Sequence, residues 1–341
     1  MSLADVQLAK DVCVGTVLAT RRLLYPGAVG GDIGCGMLAV PFDATADLLA
    51  DPVHAAELLK GLYAAVPSMR RRRAAARSYP SSVAPTDLSH GALQAVARTE
   101  GQLQLGTLGG GNHFVEIQAD EEQRIWLMIH SGSRAMGQAI RSHHVANARK
   151  SGSYVVLDAD EPVGQAYVND MEWARRYADA NRRAMAERVV ERMAELFHIR
   201  ASEGETIACD HNHVDREAHL GETVWVHRKG AMPAADGAVG VVPGSMGSWS
   251  YHVIGRGHAE ALRSSAHGAG RSMSRESARQ RFSARELARQ MKGVWFGPRA
   301  ADRLRDEAPR AYKDVRSVMR AQHELIRVTR TLRPLLTYKG A

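Results

Sequence analysis

Aromatic residues are scarce in this 341-residue chain, at 6% of the total. That argues against a platform that stacks many single-stranded bases. Cysteine is scarcer still, with only Cys13, Cys35 and Cys209. A disulfide framework is therefore not expected, and a reducing compartment, the cytoplasm, is the expected setting. No run approaches the roughly 18 apolar residues of a membrane span, and no secretory layout opens the chain. There is no G-x-x-x-x-G-K-[ST] phosphate loop, no H-E-x-x-H and no zinc-finger spacing. Acid is in short supply, with 37 Asp and Glu against 45 Lys and Arg, a net charge of +8. That excess favours anionic partners such as nucleic acid or nucleotide phosphates, met mainly through phosphate contacts.

The remaining composition, 45% hydrophobic and 24% charged, is that of an ordinary globular protein. No repeat, heptad or long Pro/Ser linker marks a boundary. Residues 1–341 are read as one compact α+β domain with short mixed strands, glycine-rich loops and a helical C-terminal third. Residues 12–40 and 103–131 read as short strands joined by tight turns, and 223–227 as a further strand. Residues 237–257 are glycine-rich and turn-dense. Helices are predicted over 51–77, 169–198 (capped by Asn169 or Asp170), 274–292 and 310–333, the last stopped by Pro334. The run Arg70-Arg71-Arg72-Arg73 reads as a solvated helix end.

The strongest local pattern is Gly31-Asp32-Ile33-Gly34-Cys35-Gly36-Met37. An acid and a thiol three residues apart can aim at one metal, because glycine permits unusual backbone paths. A thiolate beside a carboxylate suits a borderline divalent ion better than Mg²⁺ or Ca²⁺, and a thiolate can bridge two ions. The plainer alternative is a turn around a buried structural cysteine. Histidines recur in similar settings. Asn112 and His113 end a glycine run, His130 ends an apolar strand, and His211 and Asn212 lie in Ala-Cys-Asp-His-Asn-His. Donors drawn from distant segments suit a catalytic rather than a structural metal site.

Two further segments look made for phosphates. Pro243-Gly244-Ser245-Met246-Gly247-Ser248-Trp249-Ser250 offers N–H groups and hydroxyls, the ingredients of an anion nest. Ala266-His267-Gly268-Ala269-Gly270-Arg271 sets a histidine among small residues, with an arginine to balance charge. Each glycine-rich stretch can also be read as a hairpin turn.

Taken in order, these segments, with His-Ser-Gly-Ser-Arg after residue 129 and His227-Arg228-Lys229-Gly230-Ala231, resemble the motif set of the RtcB family. These are RNA-splicing ligases that join RNA 3′-phosphate or 2′,3′-cyclic phosphate ends to 5′-hydroxyl ends. The resemblance implies the family's α+β fold, a site with two Mn²⁺ ions, and GTP. It implies that Cys35 bridges both ions, that Asp32 and His113 complete one, and that His130 and His211 complete the other. Asn112, His211, Asn212, Pro243, Gly244, Ser245, Met246, Ser250, Gly268, Ala269 and Gly270 would hold the guanylate. Lys339 would contact the guanine, and His267 would be the nucleophile that becomes guanylylated. Arg134, Lys229, Arg271 and Arg275 are candidates for RNA phosphates, and an archease-type activating protein is an implied partner.

The family tends to read Asp-Val-His-x-Gly-Lys-Gly where this chain has Asp5-Val6-Gln7-Leu8-Ala9-Lys10-Asp11. Asp5 is kept, while Gln7, Ala9 and Asp11 replace a histidine and two glycines, in what reads as a member with a shortened start. The expected function is therefore tRNA splicing or RNA repair. The alternatives are a non-catalytic RNA-end binder or a metal-dependent phosphate-ester hydrolase with no need of GTP.

Overall fold

Alternation of period two builds the central sheet and gives its two faces different work. In the computed structural model, which describes residues 1–9, 11–71, 76–152, 154–202 and 204–340, this sheet runs in the order Val239–Val242, Ser250–Gly255, Ile326–Lys339, Phe114–Ala119, Arg124–Ser131, Gly36–Thr45, Ile207–Asp210. Every neighbouring pair is antiparallel. One face carries Leu38, Val115, Ile117, Leu127, Ile129 and Leu336 into the largest apolar core. On the other face His130 pairs across to Phe114, which pairs to Lys339, and the next row sets Glu116 opposite Thr337. Polar residues on this face are thus placed in rows by register alone. Mixed helix and sheet agree with the α+β expectation.

A second antiparallel sheet joins Ser2–Gln7, Val14–Thr20, Glu222–Lys229 and Asn212–His219. His211 is the single residue between Ile207–Asp210 of the first sheet and Asn212–His219 of the second. Its N–H donates to Cys35 O at 2.8 Å and its carbonyl accepts from Ala231 N at 3.1 Å.

Several predicted elements shift, each for a local reason. The helix expected over 51–77 is Pro52–Ala65, started by Asp51 accepting from Val53 N. It stops because Pro67 forces Val66 out of the helical region, to ψ 92°; Arg72 and Arg73 lie outside the described residues. The helix expected over 169–198 starts earlier, at Pro162, and ends on left-handed His198. Asn169 and Asp170 are therefore interior, and buried Asp170 instead accepts from Ser89 and contacts His144. The stretch 274–292 is two helices, Arg275–Arg281 and Ala284–Gln290, each with its own serine cap.

The helix expected over 310–333 is wrong. Only Val315–Ala321 is α-helical, after a single 3₁₀ turn at Pro309–Ala311, and Ile326–Lys339 is a central strand. Its β-branched residues favour the pleat. Pro334 sits inside it at a register irregularity, where a missing N–H breaks no ladder bond.

The long helix Pro162–Phe197 holds the site loops from behind. Asn181 accepts from Gly106 N and Thr107 N at 2.7 and 3.1 Å and donates to Thr107 O and Ser131 Oγ. Arg182, 3% exposed, donates to Gly34 O and Ser131 O at 2.8 and 2.9 Å. Two helical turns earlier on the same face, Arg175 grips Asp210 and Asp215. Gly34 is required here: it holds φ +69°, and a Cβ would fall 2.8 Å from Arg175 Cα. Replacing Arg182 by Leu strips a charged donor from two buried carbonyls. It is expected to destabilise the fold by about 2–4 kcal/mol, read as a lower urea midpoint at unchanged slope.

Candidate functional site

Four chain segments bring their donors to one point. Cys35 Sγ lies 3.2 Å from His130 Nε2 and 3.5 Å from His113 Nε2. His113 Nε2 is 2.9 Å from Asp32 Oδ2, and His130 Nε2 is 3.3 Å from His211 Nε2. Cys35, His113 and His130 form a group compact enough to hold one ion. The outer ring nitrogens are already committed: His113 Nδ1 donates to Leu108 O at 3.0 Å and His130 Nδ1 to Asn112 O at 3.2 Å. Each Nε2 lone pair is thereby turned inward, the orientation a metal ligand needs.

Electrostatics favour a cation here. Two Nε2 atoms 3.3 Å apart need a proton or a metal between them, and so does the His113–Asp32 contact. Burial works to raise the Asp32 carboxyl, but its contact with His113 outweighs it and holds Asp32 at about 2. Burial, then the Asp32 charge, pushes the Cys35 thiol well up. Burial and the neighbouring histidines push His130 and His211 down, so both stay neutral. Neutral imidazoles, a carboxylate and a thiol that ionises only beside positive charge are a donor set that fits borderline divalent ions.

Beside this cluster lies a cavity of about 770 Å³, and every candidate residue except His113 and Arg134 lines it. His267 lies against His211, with ring centroids 4.4 Å apart and the planes tilted by 49°. Its Nδ1 donates to Asp5 Oδ2 at 2.7 Å and its backbone N–H to the same oxygen at 3.3 Å. Asp5 is fully buried. The loop of His267 is tied to the 243–246 turn by Ala269 N donating to Pro243 O at 3.1 Å. In that turn Ser250 Oγ accepts from Gln118 Nε2 at 3.0 Å and from Gly244 N at 3.4 Å.

At the far end, Phe114, Glu116, Tyr312 and Lys339 meet in the lining. Burial pushes the Glu116 carboxyl up to about 8, against the pull of Gln118, Thr337 and Lys339. Lys339 also pairs with Glu307. Burial opposes ionisation of Glu307, but the charges of Lys339 and Arg275 win and hold it at about 2.

Some expected contacts are used otherwise. Asn212 spends its side chain on backbone, donating to Asp32 O and accepting from Gly230 N. Arg271 lines the cavity, but its guanidinium is bound to Met273 O, Asp306 O, Tyr312 and Glu307, so it is a strut rather than an open phosphate contact. Arg134 lies against Gly109 and His113 and does not line the cavity. Arg275 pairs with Asp306 and Glu307 yet keeps 39% of its side chain exposed, and Lys229 donates to Gly27 O at the cavity wall. Sequence reasoning missed the acid pair Asp306–Glu307 and the brace of Asn181 and Arg182. Neither has a local signal, since their partners are tens to hundreds of residues away.

The comparisons with known proteins agree with this arrangement. The family described as tRNA-splicing ligase RtcB matches residues 1–98 and 84–340. RNA-splicing ligase RtcB of Escherichia coli K12 is 37% identical over 368 aligned positions, covering 98% of this chain and 88% of that protein. Escherichia coli RNA-splicing ligase RtcB2 is 30% identical, covering 100% and 88%. The tRNA-splicing ligase RtcB of Thermococcus kodakarensis is 28% identical, covering 94% and 83%. Since the match runs from the strand of Asp5 through the donor cluster to the strand of Lys339, this chain belongs to the RtcB family.

Proposed function

We propose that this chain is a GTP- and Mn²⁺-dependent RNA ligase, joining 3′-phosphate or 2′,3′-cyclic phosphate ends to 5′-hydroxyl ends through a GMP-histidine intermediate at His267. The observation that carries this reading is the Asp5–His267 pair. It stands beside the Asp32, Cys35, His113, His130 and His211 donors, in a cavity walled by the 243–246 turn. Two Mn²⁺ ions held by those five residues would supply positive charge to the phosphoryl oxygens and polarise the phosphorus.

Asp5 fixes the proton on Nδ1, which leaves the Nε2 lone pair of His267 as the nucleophile. Attack on the α-phosphorus of GTP forms a P–N bond and breaks the bond to pyrophosphate. Asp5 then faces the positive charge that develops on the ring, the same role an orienting carboxylate plays behind other catalytic histidines. The N–H groups of Gly268 and Gly270 stabilise the phosphoryl oxygens. Transfer of GMP to the RNA 3′-phosphate gives an activated end. The 5′-hydroxyl attacks that end and releases GMP, and a cyclic end is first opened by water. Lys229 and Arg275 are the lining cations assigned to RNA phosphates.

Glu116 and Lys339 suit a guanine. Its edge offers two N–H donors beside a carbonyl oxygen, matching a carboxylate beside an ammonium. Ionised Glu116 accepts both donors, and the fraction ionised rises as pH climbs through about 8. Affinity for GTP should therefore increase from pH 6.5 to 8.5 in the wild type and be flat in Glu116→Gln, measured by calorimetry.

The decisive assay is incubation with α-labelled GTP and Mn²⁺ followed by a denaturing gel. An acid-labile adduct is expected, lost in His267→Ala with metal content retained, and lost together with metal in Cys35→Ala. Adduct that persists in His267→Ala would remove the nucleophile assignment. A chelator should abolish labelling, and added Mn²⁺ should restore it.

A further inference from the structure

The strand that carries Asp5 and the loop that carries His267 are 262 positions apart in sequence, and one residue spans both. Lys313 donates its backbone N–H to Gly270 O at 2.9 Å, in the loop of His267. Its ammonium donates to Ala4 O at 3.1 Å and Val6 O at 2.6 Å, the carbonyls on either side of Asp5. Ala4 and Val6 are two residues apart, so their carbonyls share one edge of the strand. Among the described residues that edge has no ladder partner, because Ser2–Gln7 is the outermost strand of its sheet.

The ladder on the other edge does not fix Asp5. Ser2 pairs with Thr16 and Gln7 with Val14, but the register is irregular between them, over the residues that include Asp5. Regular ladder pairing therefore does not reach Asp5, and contacts outside the ladder help to place it. Two contacts do so from the side of His267: the Lys313 ammonium, and Gln7, whose Oε1 accepts from Arg271 N. Close packing admits little play, since a Cβ on Gly270 would fall 2.1 Å from Asp5 O.

We propose that Lys313, with Gln7 as a second tie, is a positioning residue that holds Asp5 against Nδ1 of His267 and so sets which ring nitrogen is free to attack. This rests on the reading of His267 as nucleophile. A shift of about 1 Å in the Asp5 strand would break the 2.7 Å bond. The proton would then be free to move to Nε2, removing the lone pair that faces the cavity. Misplacement of that size is worth up to about a hundredfold in rate. It also gives Gln7 a use: its amide oxygen accepts the Arg271 N–H.

The test pairs a tautomer measurement with a rate. Metal-free, ¹⁵N-histidine-labelled protein is read by NMR, with His267 assigned from the spectrum of His267→Ala. Adduct formation is timed with α-labelled GTP and Mn²⁺. Wild type should show the Nδ1–H tautomer. Lys313→Met should show a mixture, with adduct formation about tenfold slower at saturating GTP while the half-saturating GTP concentration moves less than about twofold. Lys313→Arg should restore both, and Gln7→Ala should give about threefold slowing. A folded Lys313→Met with wild-type tautomer and rate overturns the proposal, as does an arginine variant as slow as the methionine one. If Lys313→Met does not fold, Gln7→Ala decides, and wild-type tautomer and rate there overturn it. A wild-type protein that forms no adduct fails the proposed function instead, and the tautomer comparison still decides the clamp.

Discussion

Two adjacent side chains on one helix, Asn181 and Arg182, carry the geometry of the site. Between them they bind carbonyls or amides of the loops at Gly34, Gly106, Thr107 and Ser131. Those loops deliver Cys35, His113 and His130. Loops rich in glycine have little conformational preference of their own, so their shape must be imposed. A buried guanidinium is well suited to this, because its fixed fork of donors dictates where the carbonyls sit. Rigidity at the site is thus borrowed from a 36-residue helix that lends no residue to the cavity lining.

The electrostatic design has two halves. Around Cys35, groups that are expensive to bury are held with their lone pairs facing one another, which leaves a place for positive charge. At the other end, Lys339, Arg275 and Arg271 are packed against Asp306 and Glu307, so positive charge is already compensated. One end of the cavity therefore attracts cations, and the other presents fixed cations whose direction is set. A ligand with phosphates at one end and a hydrogen-bonding base at the other is matched to that polarity.

Much of the site was legible because its residues sit in short motifs whose glycines mark unusual backbone. Asp32, Cys35, His113, His130, His211 and His267 all converge as those motifs suggested. The errors have a common physical origin. Arg271 carries the charge expected of a phosphate contact, yet its acid partner Glu307 lies 36 residues further on, and local sequence cannot show that a charge is already spent. The strand Ile326–Lys339 was hidden by its arginines, which suit a helix as well as an exposed strand face. What decided the matter was pairing with Phe114–Ala119 and Ser250–Gly255, a non-local choice.

The order in which the strands lie has a consequence for how the molecule is made. Asp5 comes from the first strand and Lys339 from the last, and the Ile326–Lys339 strand lies between Ser250–Gly255 and Phe114–Ala119. Contacts of such long sequence separation form late and slowly. On the ribosome, a chain not yet translated past residue 339 lacks the strand that joins the two halves of the central sheet. It therefore lacks one wall of the pocket beside the Cys35 donors. The wall that Lys339 supplies is thus the last part of the cavity lining to be made.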